Sequence, residues 1–182
     1  PGMRGLFVHP FSDRHVMAGN APIGVEILED LPEADAVVVP YGGGGLSCGI
    51  ASAIRARAPR TKVFAAEIAT AAPLSASLAA GEPVVVPYTP SFVDGIGSPA
   101  VFPEMFELAR TLLDGSLVVE PDQAADAVRL LATRAHVVAE GAGAVPVAAA
   151  TAGLAGSGRI VAVVSGGSID ASKLSAILAG SA

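Results

Sequence analysis

The sequence predicts an α/β fold in one domain: an open, mostly parallel sheet with helices on both faces. Three observations carry this. Apolar runs of strand length alternate with helix-like stretches along the whole chain, the order that yields a parallel sheet. Ala36-Val37-Val38-Val39-Pro40 is apolar without a break, the pattern of a strand buried on both faces. Three glycine-containing loops, Gly42 to Gly45, Glu140 to Gly143 and Ser165 to Gly167, follow strands or precede helices. In an open α/β sheet such loops gather outside the carboxyl ends of the strands, where ligands bind.

In order, Leu6 to His9 reads as a short strand and His9-Pro10-Phe11-Ser12-Asp13 as a turn in which His9 is structural or solvent-facing. A helix is expected from Gly19 to Asp30, with Ile23, Ile27 and Leu31 on one face, ended by Leu31-Pro32. The strand 36–40, the glycine loop and a helix from Leu46 to Arg57 follow. Leu46, Ile50 and Ile54 share a face of that helix, and Arg55, Arg57 and Arg60 gather at its far end, where positive charge complements the helix dipole. Lys62 to Glu67 is the next strand. Ala71 to Ala80 reads as a helix closed by Gly81, Pro83 to Tyr88 as extended chain, and Asp94-Gly95-Ile96-Gly97 as a turn. Pro103 opens a helix to Leu113, proline being favoured in a first turn. Leu117 to Val119 is a strand. Pro121 opens a helix whose buried stripe holds Val128, Leu131 and Ala135. After Glu140-Gly141-Ala142-Gly143 an alanine-rich helix runs to about Ala155. Ile160 to Val164 is the last strand, and Ile169 to Leu178 the closing helix.

With 182 residues the chain can bury a real core. Hydrophobic residues make up 52% and charged ones 15%, carried by alanine, valine and glycine rather than aromatics, which suits tightly packed layers and excludes a disordered chain. The net charge of −6 argues against a nucleic-acid or acidic-membrane partner. No apolar run has the length of a membrane span. Cys48 is the only cysteine, so no internal disulfide can form, and with no leader-like opening segment a cytoplasmic location is expected.

The stretch Tyr41-Gly42-Gly43-Gly44-Gly45-Leu46 is the strongest functional signal. Strand, glycine loop and helix form the arrangement in which backbone N–H groups and a helix N-terminus cradle a phosphate, and glycine leaves room for the anion and for φ > 0. A Walker loop is excluded, because Gly45 is followed by Leu46 and neither Lys62 nor Lys173 is near. The dinucleotide fingerprint fails at its third glycine, where Ser47 or Cys48 stands, although Glu67 ends the next strand where a ribose-binding acid would sit. A small phosphate monoester remains, such as the tail of a cofactor.

His9-Pro10-Phe11-Ser12-Asp13, Gly42 to Leu46, Asp94-Gly95, Glu140-Gly141-Ala142 and Ser165-Gly166-Gly167-Ser168-Ile169-Asp170 resemble, in order and spacing, the C-terminal part of the threonine/serine dehydratase family. These are pyridoxal-phosphate enzymes of fold type II, with the tryptophan-synthase-β-like fold, and serine racemase belongs with them. The resemblance covers almost the whole chain. It implies that Gly42, Gly43, Gly44, Gly45 and the Leu46 amide hold the cofactor phosphate. It implies further that Ser165 meets the pyridine nitrogen, that Gly95 gives the ring a backbone contact and that Glu140 is a carboxylate beside the cofactor. The residues alone leave Glu140 an alternative place as a helix N-cap acid next to Gly141. A neutral hydroxyl at the ring nitrogen makes a weaker electron sink than an aspartate would, which suits β-elimination.

The sequence departs from the family pattern at Ser168, where asparagine is common, and at Glu140-Gly141, where a Glu-Pro pair is common. Some members bind a divalent cation through a Glu, a carbonyl and an Asp. Glu67 and Ala71 match the first two and Pro73 stands at the third, which leaves a metal site open. The family's Schiff-base lysine and its small domain precede the matched region. Lys62 and Lys173 occupy neither position, so no catalytic residue is assigned. The chain is expected to be the C-terminal portion of the large cofactor-binding domain of a longer enzyme and inactive by itself. That enzyme is expected to convert threonine or serine to a 2-oxo acid and ammonia, with a small amino acid as its partner and a homodimeric state implied by the family. The alternatives are a racemase of the same family, a non-catalytic phosphate-binding module, or a nucleotide-binding domain using Glu67 on a ribose.

Overall fold

The computed structural model describes residues 5–180, so Pro1 to Arg4, expected to lead into a strand, lie outside the described residues. Helix α1 (Arg14–Asp30) is followed by β1 (Ala36–Pro40), α2 (Gly45–Arg57), β2 (Lys62–Ile68), α3 (Pro73–Ala80), α4 (Pro103–Leu112), β3 (Ser116–Val119), α5 (Pro121–Leu130), α6 (Gly141–Thr151), β4 (Ile160–Ala162) and α7 (Ala171–Ala179). The strands form one four-stranded sheet in the order β3-β2-β1-β4. All three pairings are parallel.

Side chains alternate across the sheet and give it two cores. Val38, Ala66 and Ile68 face one side, where α5, α6 and α7 pack around Val128, Val145 and Ile177. Val37, Val39, Val63 and Ala65 face the other, where Ile50, Ile54, Met105 and Phe106 of α2 and α4 pack. Every residue of β1 is buried, and each such valine contributes about 1.5–3 kcal/mol relative to its exposed state.

Several expectations need correction. Leu6 to His9 is not a strand: Leu6 and Phe7 are 92% and 79% exposed, and no described strand lies alongside to complete a ladder. Helix α1 begins a full turn before Gly19, because the Asp13 carboxylate accepts the His15 N–H at 2.7 Å and caps it. After α5 the chain widens into a π-helical turn, Leu131–Ala135, which rotates the stripe so that Leu131 stays buried and Ala135 is exposed. Helix α6 stops at Thr151, ahead of Gly153 at φ 72°. Strand β4 stops at Ala162, although the Val163 N–H still donates to Val38 O.

The charged end of α2 does more than complement a dipole. The Arg55 guanidinium pairs with Asp114 and donates to Leu112 O at 2.9 Å and Thr61 O at 3.2 Å. It thereby ties α2 to the turn between α4 and β3. Arg57 and Arg60 stay exposed. No described helix is long and apolar enough to cross a membrane.

Candidate functional site

The chain runs from β1 to β2 and β3 on one side of the sheet, and β4 returns to the other side of β1. The strand order therefore reverses between β1 and β4, the place where open α/β sheets leave a crevice at the strands' carboxyl ends. The glycine loop leaves β1 there and the Ser165 loop leaves β4 there.

A cavity of about 220 Å³ lies between them, and Gly42, Gly43, Gly44, Gly45, Leu46, Gly95, Glu140 and Ser165 all line it. The structure thus brings together every site residue expected from the sequence. It adds Phe11 and Asn20, which sequence reasoning missed as lining residues.

The loop is rich in unused donors. Among the described residues no backbone or side-chain acceptor takes the N–H groups of Gly42 through Ser47; the first hydrogen bond of the new helix is from Cys48 N to Gly44 O, at 2.9 Å. Unpaired donors at a helix N-terminus, with the helix dipole behind them, attract an anion. Only Gly44 of the loop has a positive φ, 91°.

The opposite wall is built from three segments. The Glu140 backbone N–H donates to Gly166 O at 3.0 Å, and the Ser168 N–H donates to Glu140 Oε2 at 3.1 Å. Glu140 therefore occupies the N-cap position of α6, but its side chain does not cap that helix. It reaches across to the loop after β4. A β-carbon at Gly95 would come 2.9 Å from both Glu140 Oε1 and the Ala142 side chain, and one at Gly143 would come 2.6 Å from Gly166 O. Glycine at these positions lets the walls close on one another. The Ser165 hydroxyl is exposed and has no hydrogen-bond partner among the described residues.

His9 is structural, as expected. Its Nδ1 accepts from the N–H groups of Phe11, at 3.4 Å, and Ser12, at 3.1 Å, and its ring meets Phe11 edge-on with centroids 4.4 Å apart.

Glu67 does not line the cavity. It is 1% exposed, and its carboxylate accepts the N–H groups of Leu74 (2.9 Å) and Ser75 (2.7 Å) and the Ser116 hydroxyl (2.6 Å). Burial pushes its pKa up, and those three donors offset the rise only in part. Glu67 thus caps α3 and cannot reach a ribose, which removes the nucleotide-binding alternative. No group of three or more His, Cys, Asp or Glu among the described residues is arranged to hold a metal ion.

Neither lysine lines the cavity. Lys62 begins β2 beside Ala36, at the amino end of the strands, and the Lys173 ammonium on α7 pairs with Asp94 at 3.2 Å.

Known proteins resemble this chain in both sequence and fold. A family model described as pyridoxal-phosphate dependent enzyme matches residues 3–166. An L-threonine ammonia-lyase of Thermotoga maritima is 43% identical over 174 residues, which cover 95% of this chain and 43% of that protein. Among solved structures, a threonine deaminase of T.th. has a TM-score of 0.83 at 35% identity, covering 90% of this chain and 62% of that one. Maize serine racemase has a TM-score of 0.87 at 30% identity, covering 97% of this chain and 57% of that one. The chain spans about half the length of the curated relatives it matches.

Proposed function

Because the chain belongs to the family of pyridoxal-phosphate dependent enzymes, we propose that Gly42, Gly43, Gly44, Gly45 and Leu46 hold the cofactor's phosphate and that Gly95, Glu140 and Ser165 flank its ring. We propose further that these residues serve an L-threonine/L-serine ammonia-lyase, which releases a 2-oxo acid and ammonia. One observation carries the reading: a run of backbone N–H groups and the Ser165 hydroxyl, none with a hydrogen-bond partner among the described residues, border the same cavity. The residues present fit the group. A phosphate needs several donors in one place, and the loop supplies them at the positive end of a helix dipole.

When bound, pyridoxal phosphate supplies the electron sink that acidifies a substrate's α-carbon. The chain's own residues hold and orient it. The loop amides fix the anionic end. Ser165 offers a neutral hydroxyl at the far wall, able to hydrogen-bond a ring nitrogen without keeping a proton on it as a carboxylate would. Glu140, steadied by the Ser168 amide, sets the position of Gly95 and of the Gly166 turn.

We place the lysine that would carry the cofactor, and a small domain over the substrate, in the remainder of a longer protein. This chain is then the C-terminal portion of its large domain. The reading includes a homodimeric, cytoplasmic enzyme acting on a small amino acid, with residues 1–182 alone releasing no 2-oxo acid. A racemase of the same family is the second reading, favoured by the likeness to maize serine racemase.

The test is to assay the longer protein with L-threonine and L-serine while following ammonia, 2-oxo acid and D-serine together. Equal yields of ammonia and 2-oxo acid are expected. D-serine without 2-oxo acid establishes the racemase instead. A protein that neither takes up pyridoxal phosphate nor turns over either amino acid overturns both.

A further inference from the structure

Two glycines on different helices decide what reaches the loop. A β-carbon at Gly24 of α1 would stand 2.6 Å from Ile50 O, and one at Gly49 of α2 would stand 2.5 Å from Met17 O and 2.9 Å from Asn20 Cβ. Helices α1 and α2 therefore meet backbone to backbone. Ridge-into-groove packing normally holds helix axes about 8–10 Å apart, with the smallest contact residues at the near end of that range. The close crossing lays Asn20 over the first turns of α2 and into the lining of the cavity.

Asn20 is the odd polar group there. Among the described residues that line it, only Asn20, Glu140 and Ser165 carry polar side chains, and none is a lysine or arginine. Glu140 is anionic and already accepts the Ser168 N–H. Ser165 belongs to the opposite wall. The Asn20 carboxamide is half-buried and makes no hydrogen bond with any described residue. Beside it lie the unused N–H groups of the loop and the first turn of α2.

We propose that Asn20 is a phosphate-binding residue, its carboxamide N–H₂ donating to the same dianionic group that the loop amides hold. This rests on the reading of the loop as a phosphate cradle. The cavity thereby divides by chemistry into a donor end, made of the loop amides and Asn20, and an end carrying Glu140 and Ser165. Among the described residues, a phosphate monoester at the donor end meets only neutral donors and a helix dipole, so its binding depends on each donor more than it would beside a lysine. A carboxylate at position 20 would put like charge against the ligand.

The test uses the full chain and the variants Asn20→Ala, Asn20→Gln and Asn20→Asp. Each is titrated calorimetrically with inorganic phosphate, pyridoxal phosphate and, as the phosphate-free control, pyridoxal. Asn20→Ala should weaken both phosphate-bearing probes about tenfold, the size of one hydrogen bond to an ionised group. Asn20→Asp should weaken them further, Asn20→Gln should recover part of the loss, and pyridoxal should be unaffected. Wild-type affinity for phosphate in both Asn20→Ala and Asn20→Asp overturns the role of Asn20 while leaving the cradle standing. An equal loss for pyridoxal and pyridoxal phosphate overturns it too, since Asn20 would then only shape the cavity. A wild-type chain that binds neither phosphate-bearing probe overturns the cradle and Asn20 together. Circular dichroism of each variant separates lost binding from lost folding.

Discussion

Phe11 lies across Gly43, its ring occupying the place where a β-carbon on that residue would go, and its own Cα would stand 2.8 Å from a β-carbon at Gly45. The need for glycine at these two positions thus comes from a neighbouring aromatic residue. At Gly44 it comes from φ 91° and from the Tyr41 hydroxyl, 2.9 Å from the would-be β-carbon. At Gly42 the nearest atoms are 3.6 Å away, an ordinary contact.

The loop's glycines should therefore differ under substitution. Gly42→Ala is expected to change stability by less than about 0.5 kcal/mol. Gly44→Ala should cost at least about 1–2 kcal/mol for the left-handed backbone alone. Gly43→Ala should destabilise, and Phe11→Ala in the same chain should recover part of the loss. Urea unfolding of the four variants checks the order. Equal costs at Gly42 and Gly44 would show that the loop's conformation has been misjudged.

Tyr41 supplies a second test. It is 2% exposed, and its hydroxyl is buried without a hydrogen-bond partner among the described residues. Burial, with Cys48 and Glu67 nearby, pushes its pKa far up, so the phenol stays neutral. A buried, unsatisfied hydroxyl costs about 1–3 kcal/mol of desolvation. Tyr41→Phe removes the oxygen and keeps the ring, so it should raise the urea midpoint with the slope unchanged. A lower midpoint would mean that the hydroxyl has a partner in solution.

Local signals made most of this fold legible. The unbroken apolar run 36–40 could only be a doubly buried strand, and Pro103 and Pro121 marked helix starts that the structure keeps. The convergence of Gly42–Gly45, Glu140 and Ser165 followed from the rule that loops gather at the carboxyl ends of parallel strands. What stayed hidden was non-local. Leu6-Phe7-Val8 has a strand's composition, but a strand exists only against a partner. Asn20 sits mid-helix with no motif around it, and its place at the cavity is set by Gly24 and Gly49 meeting across a helix crossing. Glycines inside two amphipathic helices were the available clue, since each costs a helix about 1 kcal/mol and implies a compensating close contact. The tetraglycine itself is plain in the sequence, but what demands glycine at Gly43, Gly44 and Gly45 is not, because Phe11 and Tyr41 are invisible as neighbours until the chain folds.

Glu67 distinguishes a structural acid from a cation ligand. Its three hydrogen bonds join β2, the start of α3 and β3. Glu67→Ala should cost about 3 kcal/mol or more, because it leaves two N–H groups and a hydroxyl unpaired in the interior. Glu67→Gln should cost less, since one oxygen can still accept. Millimolar magnesium or calcium should leave the melting temperature of the wild type unchanged, the carboxylate being buried and already held by three donors. A cation-dependent rise in melting that vanishes in Glu67→Gln would reinstate the metal site.

Cys48 is 1% exposed on the inner face of α2, and burial pushes its thiol pKa up to about 12. The thiolate is the reactive form, and an unfolded cysteine ionises near pKa of about 8.5. The folded chain should therefore resist a thiol reagent at about pH 8 and react at the ordinary rate once unfolded in urea. The sign of the pH effect follows from the same shift. The folded state holds the proton more tightly than the unfolded one, so this contribution to stability is complete below about pH 8.5 and is lost as pH rises toward about 12. Cys48→Ala should flatten that alkaline decline, although it costs some packing at every pH. If the native chain is labelled at about pH 8 as fast as the denatured one, the first turns of α2 open readily, and a cradle built on their amides could not be preorganised.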